Sequence, residues 1–281
     1  MSKTANIKVK KASGAVEDIN LDKLHASLVR SGADSEKANE IIDLMLDEIP
    51  AVTSTRKIYR LAKKHLRTLN HSAGLRYSLK NAIFRLGPSG YPFEKYLGAV
   101  MTNYGYKVKT GVIIEGNCID HEIDVYAVKE DEVSLVECKY RNTPGGTTDV
   151  KTALYVHSRF HDLWPTMKAL YPDKTFKGWL VTNTRCTTTA VTYAKCMGLN
   201  IRSWSYPDGD SLQKMIEDKK LYPVTIISGI KSGIISTLIK EDIILLKDLA
   251  VMSEGRIAKM LSLTPRKAAA LKKQADDLCL C

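Results

Sequence analysis

At 281 residues and a formal net charge of +11, the chain is long enough for two or three domains with cores of their own, and its basic excess favours a polyanionic partner such as DNA over an acidic one. No apolar run approaches the roughly 20 residues of a membrane span, and the segment from Met1 to Asn6 lacks the apolar stretch of a signal peptide, so a cytoplasmic protein without a membrane partner is expected. The six cysteines, Cys118, Cys138, Cys186, Cys196, Cys279 and Cys281, contain no C-x-x-C pair and no zinc spacing, and free thiols suit a reducing compartment.

The first elements are short. Ile7 to Lys11 reads as a strand, Ala12-Ser13-Gly14 as a turn, and Ala15 to Ile19 as the partner strand. Asn20 suits an N-cap, and Leu21, Leu24 and Leu28 then recur at helical spacing until Ser31-Gly32. Further helices are expected from Ser35, with Ala38, Ile41, Ile42, Met45 and Ile49 on one face; from Ser54, with Ile58, Leu61 and Leu66; and as one helix from Ala73 to Leu86. The run Gly87-Pro88-Ser89-Gly90-Tyr91-Pro92 breaks the pattern and marks a boundary.

This hairpin followed by helices, residues 1–88, is similar to the ATP-cone domain of ribonucleotide reductases and their repressor. Val9-x-Lys11, Ser13-Gly14, Glu17 and Ile19-Asn20-Leu21-Asp22-Lys23-Leu24 carry the resemblance, with Thr55-x-x-Ile58-Tyr59 and Ala82-Ile83-Phe84 further on. It implies an ATP or dATP site formed by Val9, Lys11, Glu17, Asn20 and Lys23, with Thr55 and Tyr59 beside them. Lys11 and Lys23 can neutralise a triphosphate, and the helix N-terminus at Asn20 favours anions; ordinary surface lysines are the other reading. Where the reductases carry basic residues after the last helix, this chain has Gly87-Pro88-Ser89. There is no P-loop, so sensing rather than hydrolysis is expected. Reductase cones associate through nucleotide-bound faces, which implies a homo-oligomer.

Two strands then concentrate acids. In Asp120-His121-Glu122-Ile123-Asp124-Val125-Tyr126 the alternation of a strand puts Asp120, Glu122 and Asp124 on one face, and Ile123 with Val125 on the other, in a core. In Leu135-Val136-Glu137-Cys138-Lys139, Glu137 and Lys139 share a face. The polar run Lys129 to Glu132 turns the chain between them, so Asp124 and Glu137 are expected to meet. Two carboxylates about 4 Å apart repel by roughly 4 kcal/mol at an effective dielectric of 20. Water can screen them, they can share a proton, or a divalent cation can neutralise them. On this pattern alone a solvated, mixed-charge face and a metal site stand level.

Asp124 with Glu137-Cys138-Lys139 resembles the core motif of the PD-(D/E)XK nuclease superfamily, closest to its Mrr-like restriction-endonuclease branch. Glu94, in Phe93 to Leu97 before the strand at Tyr106 to Val108, matches that family's upstream acid. The resemblance implies that Asp124, Glu137 and the backbone carbonyl of Cys138 hold Mg²⁺ or Mn²⁺, that Lys139 positions the attacking water, that Glu94 acts through a water or second metal, and that a 5′-phosphate is left. His121 and Glu122 replace two glycines usual in the Mrr type. Glu122 is either an additional ligand or a plain polar strand residue, and His121 is expected to face away from the acids.

Beyond Lys139 the pattern reads as a flexible loop over Arg141 to Thr148, a helix from Asp149 to Trp164 with Lys151 and Arg159 as candidate phosphate contacts, a buried strand from Lys177 to Asn183, a helix from Thr189 to Met197, and a strand from Asn200 to Trp204. Residues 220–281 read as all helix. There Ser253 and Thr264 are N-caps, Pro265 stands at N1, and Leu261 to Lys273 resembles the second half of a helix-hairpin-helix unit, with Ser262 and Thr264 in place of its glycine-rich turn. Arg266, Lys267, Lys272 and Lys273 would face phosphates there, or form a solvated or oligomerising face. The expected fold is therefore an α/β multidomain chain. It comprises an N-terminal ATP-cone (1–88), a central restriction-endonuclease-like mixed sheet flanked by helices (91–207), and a C-terminal all-α module (220–281). The expected function is a metal-dependent endonuclease on double-stranded DNA regulated by ATP or dATP. The alternatives are a nucleotide-responsive DNA-binding regulator with a silent nuclease fold and a structure-specific junction nuclease.

Overall fold

The computed structural model of the chain describes residues 7–11 and 14–279. Ala12 and Ser13 of the expected first turn, and Cys281, lie outside the described residues. Strand β1 (Lys8–Lys10) lies between β2 (Val16–Asp18), antiparallel to it, and β3 (Val52–Ser54), parallel to it. Helices α1 (Leu21–Arg30), α2 (Ser35–Glu48) and α3 (Thr55–Leu69) pack Leu24, Leu28, Ile41, Ile42, Met45 and Leu66 into one small core. Asn20, Asp34 and Ser54 cap them, each side chain accepting a backbone N–H three residues on.

Two differences from the sequence pattern arise here. Strand β3 has only three residues, too few for a period-2 signal, and it forms because β1 offers an edge. The single helix expected over 73–86 is two, α4 (His71–Arg76) and α5 (Leu79–Phe84). At the break the Ser78 hydroxyl donates to the Gly74 carbonyl at 2.9 Å and accepts from Tyr59 Oη at 3.0 Å; hydroxyl back-bonding of this kind bends helices.

The centre of the molecule is a five-stranded mixed sheet. After α6 (Tyr91–Asn103) come β4 (Lys107–Glu115), β5 (Asp120–Lys129), β6 (Glu132–Lys139), β7 (Thr147–Thr148), α7 (Val150–Leu170), β8 (Thr175–Thr182), β9 (Arg185–Cys186), α8 (Thr188–Cys196) and β10 (Asn200–Arg202). The order is β10-β8-β6-β5-β4. Strands β4, β5 and β6 form an antiparallel meander, and β8 and β10 add in parallel to β6. Phe93, Tyr96 and Leu97 of α6 cover one face, while Val156, Phe160 and Leu163 of α7 and Ala190 of α8 cover the other. The expected loop after Lys139 ends in β7, which pairs in parallel with β9; two-residue strands leave no periodic trace. Helix α7 continues past Pro165 to Leu170. A proline forfeits one helical hydrogen bond there, and burial of Met167 on the sheet holds the last turn.

The remaining helices are α9 (Leu212–Asp218), α10 (Ser232–Lys240), α11 (Leu246–Ala250), α12 (Glu254–Leu261) and α13 (Pro265–Cys279). Their apolar faces join those of α5 and α6 in one continuous core that runs from Leu75 to Leu278. Three hydroxyls stitch the seam. Thr225 donates to the Ala82 carbonyl at 2.7 Å, Tyr96 to that of Leu221 at 2.7 Å, and Ser72 to that of Asp277 at 3.2 Å. Between α12 and α13, Ser262 takes φ +51°, the left-handed conformation that a glycine would adopt without strain. Among the described residues no helix is long and apolar enough to cross a membrane.

Candidate active site

The site begins where strand alternation fails. Ile123 and Val125 are both fully buried, yet Val125 joins the α6-side core and Ile123 the α7-side core. Two residues of one strand face would share a core, so the backbone turns over between them, at Asp124. On the neighbouring strand the corresponding position, between the paired residues Thr110↔Val125 and Val112↔Ile123, is Gly111 with φ +63°, a conformation that a side chain would strain. The paired ladder of β5 and β6 runs only as far as Val125↔Val136. Beyond it the Cys138 N–H donates to Asp124 Oδ2 at 2.6 Å, so a carboxylate takes the place of a backbone carbonyl.

Glu137 is 4% exposed and is held by two cations. Lys139 Nζ lies 2.5 Å from its Oε1, and Arg159 of α7 donates to its Oε2. The same guanidinium donates to the Glu122 carbonyl. Tyr155, one turn earlier on α7 and largely exposed, sets its ring 5.6 Å from both Lys139 Nζ and Arg159 Cζ. Across the site stands Glu94 of α6. Burial, and then the charges of Asp124, Glu122 and Glu137, push its carboxyl up to about 7. Burial and then Glu137 raise Asp124 to about 6, against the opposing Cys138 N–H bond. Burial also drives the Cys138 thiol well up, which leaves it an inert apolar group.

A shell of neutral groups sets the position of Lys139. The Thr182 hydroxyl donates to the Lys139 carbonyl at 2.7 Å. Asn183, fully buried, clasps the Arg141 backbone, accepting from its N–H at 2.9 Å and donating to its carbonyl at 2.7 Å. Tyr140 stacks on Phe93 at 5.4 Å, and its hydroxyl faces the carbonyls of Phe84 and Gly87 at 2.9 and 3.1 Å. The helix bearing Glu94 and the strand bearing Lys139 are thereby tied together.

His121 turns to α7, where its Nε2 lies 2.8 Å from Asp162 Oδ2. Asp162 also accepts the Cys118 N–H at 2.9 Å, and these bonds, with His121's the largest, hold its carboxyl down to about 2. The pair anchors the β4–β5 loop and is not directed at the acids. Arg159, expected as a phosphate contact, instead faces Glu137. The one signal for Tyr155 in the sequence is its spacing of four from Arg159, which places both on one face of α7.

The N-terminal candidates are more dispersed. Val9 is buried in the middle of β1, Lys11 pairs with Glu17 at 2.5 Å, Asn20 caps α1 beside Lys23, and the Thr55 hydroxyl reaches the Lys10 carbonyl at 3.5 Å. Tyr59 turns towards Ser78 and stacks on Tyr77 at 5.5 Å. Of the C-terminal basic residues, Lys272 is engaged by Asp276 and the Ala250 carbonyl, whereas Arg266, Lys267 and Lys273 are exposed.

A family model described as "Restriction endonuclease" matches residues 87–216, and one described as "AF1548-like, C-terminal" matches residues 222–279. An uncharacterized protein of Archaeoglobus fulgidus is 31% identical over 172 residues, which cover 61% of this chain and 93% of that protein. The crystal structure of AF1548, described as a protein of unknown function, superposes with a TM-score of 0.57 at 29% identity, covering 68% of this chain and 98% of that one.

Proposed function

Because the chain belongs to the AF1548-like family and carries a restriction-endonuclease domain at its centre, we propose that it is a Mg²⁺- or Mn²⁺-dependent endonuclease on double-stranded DNA, with cutting regulated by ATP or dATP. Residues 91–207 would cut, residues 1–88 would bind nucleotide, and residues 220–281 would support the pair. One observation carries the nuclease reading. Glu94 and Asp124 are pushed to about 7 and about 6 by burial and by neighbouring acids, while Lys139 and Arg159 are both already engaged by Glu137. The site holds more negative charge than its own cations neutralise, and its donors are hard oxygens, so it fits a divalent cation. Asp124 and Glu137 offer two carboxylates, and Mg²⁺ is commonly held by one or two carboxylates while it keeps waters and takes substrate oxygens.

Asp124, Glu137 and the Cys138 carbonyl would hold the ion, which supplies Lewis-acid stabilisation of charge on the phosphate. Lys139, oriented by Glu137, holds the attacking water in line and offsets charge on the phosphate. Glu94, with a carboxyl near 7, is matched to proton exchange near neutral pH through a water. The nucleotide reading rests on Lys23 beside the Asn20-capped N-terminus of α1, on Lys11 at the turn end of the hairpin, where it pairs with Glu17, and on the Thr53 hydroxyl. That hydroxyl is buried opposite Val9 and is the one buried side-chain polar atom without a partner among the described residues. A homo-oligomer is proposed with it, and light scattering with and without ATP tests that.

The deciding experiment titrates Mg²⁺, Mn²⁺ and Ca²⁺ into the full chain with linear and branched duplexes, with and without ATP or dATP. Cleavage with Mg²⁺ or Mn²⁺, altered by nucleotide, is the expected result. DNA binding without cleavage in any metal overturns the nuclease reading in favour of a regulator.

Arg159 allows a separate test of the metal site. It engages Glu137, so an ion held by that carboxylate must compete with it. Arg159→Gln is expected to tighten Mn²⁺ binding by about tenfold, on the order of 1.4 kcal/mol, as read by electron paramagnetic resonance of the free ion. Weaker binding would show that Arg159 pre-orients the carboxylate instead.

A further inference from the structure

Helix α3 carries Arg56, Lys57, Arg60, Lys63, Lys64 and Arg67 and no acidic residue in its 15 residues. At about 100° per residue, Arg56, Arg60, Lys63 and Arg67 fall within roughly 60° of arc along about 16 Å of helix. Ala62 and Leu66, on the other side, are buried in the N-terminal core. Glu48 engages Lys64 at 3.0 Å and His65 at 2.8 Å, but among the described residues no carboxylate pairs with Arg56, Arg60, Lys63 or Arg67. The Arg67 stem lies against Gly74, where a side chain would displace it. Like charges three and four residues apart repel along a helix, and a merely solvated face relieves this by alternating signs. Among the described residues no carboxylate relieves it.

We propose that the Arg56–Arg60–Lys63–Arg67 stripe lies along the sugar–phosphate backbone of the DNA that the central domain cuts, away from the cleavage site. The proposal rests on the nuclease reading for its choice of polyanion. The stripe itself chooses among charged partners. It is mostly arginine, whose planar fork takes phosphate oxygens two at a time, and it has no apolar side chain within it to enter a lipid surface. Each strand of a duplex carries one phosphate per roughly 3.4 Å of axis, so the stripe spans about five phosphates of one strand and is matched to a continuous backbone rather than to one nucleotide. Such contacts position the duplex and do not read its sequence. Because Thr55 and Tyr59 lie on the same helix, nucleotide at the cone would bear directly on how this face is presented.

The test measures affinity of the full chain for a duplex of several helical turns without divalent metal, by fluorescence anisotropy across a salt series. The variant replaces Arg56, Arg60, Lys63 and Arg67 together with Gln. Its slope of log affinity against log salt is expected to fall by about 3 to 4, near 0.9 per lost contact, with Mn²⁺ affinity unchanged. Arg60→Glu alone is expected to reduce the slope by about 1 or more, which keeps the question open to refutation should the fourfold variant fold poorly. An unchanged slope overturns the proposal, and so does an unchanged slope with weakened ATP binding, which would assign the stripe to the nucleotide. Wild-type protein that binds DNA with a normal salt slope yet never cuts it sinks the nuclease reading alone. Wild-type protein that binds no DNA sinks both.

Discussion

Lys139→Ala is expected to slow metal-dependent DNA cleavage by about a hundred- to a thousandfold while changing DNA affinity only slightly. The ammonium lies 2.5 Å from Glu137 Oε1, and its backbone is fixed by Thr182 and, two residues on, by Asn183. Truncation at this position removes a charge without disturbing the strand. Glu137 keeps Arg159 as a partner, so the variant avoids the large penalty of a buried, unpaired carboxylate. Single-turnover cleavage beside an anisotropy measurement separates the two effects. Undiminished cleavage would remove Lys139 from the mechanism, and loss of binding without loss of rate would make it a phosphate clamp.

Asp124→Asn is expected to abolish cleavage and, in the metal-free protein, to raise stability. The sign follows from the direction of the shift. Asp124 is raised from 3.8 to about 6 and Glu94 from 4.5 to about 7. Between about pH 4 and pH 7 the folded protein therefore holds protons that the unfolded chain has released, and stability falls as pH rises through that window and levels above it. A full two-unit shift corresponds to about 3 kcal/mol; both carboxyls are partly solvated, so on the order of 1 kcal/mol is expected for Asp124. Asparagine removes that charge and can still accept the Cys138 N–H. Thermal melts in a chelator at pH 5 and pH 8 should show wild type more stable at the lower pH, a smaller difference for the variant, and a reduced difference for wild type when Mn²⁺ replaces the chelator. A wild-type melt that rises with pH over this window contradicts the buried-acid account.

Much of the central domain is legible along the chain because its information is local. The strand run in Asp120 to Tyr126, the polar turn over Lys129 to Glu132 and the spacing of Glu137 and Lys139 lie within a hairpin, where turn chemistry acts over a few residues, although the alternation expected of Ile123 and Val125 breaks at Asp124. Asn20, Ser54 and Ser253 could be recognised as caps for the same reason. The strands β3, β7 and β9 could not, since each is a short piece set between other elements and exists only because a distant edge accepts it. The broken helix at Ser78 needed Tyr59, nineteen positions away, to turn a helical pattern into two short pieces.

The residue types available for chemistry, and the pairing of Asp124 with the Glu137–Lys139 strand, are therefore properties of the sequence by itself. Only the tertiary structure decided how that chemistry is poised. It opposed Gly111 to Asp124 and so reversed the strand face there, and it brought Arg159 onto Glu137 across twenty-two positions. It also set Tyr155 beside both cations, and joined the C-terminal helices to α5 and α6 in one core. Each of these depends on which surfaces remain exposed once the hairpin and helices have formed, and on the free energy gained by burying them together. That choice is made between elements, where no local period records it.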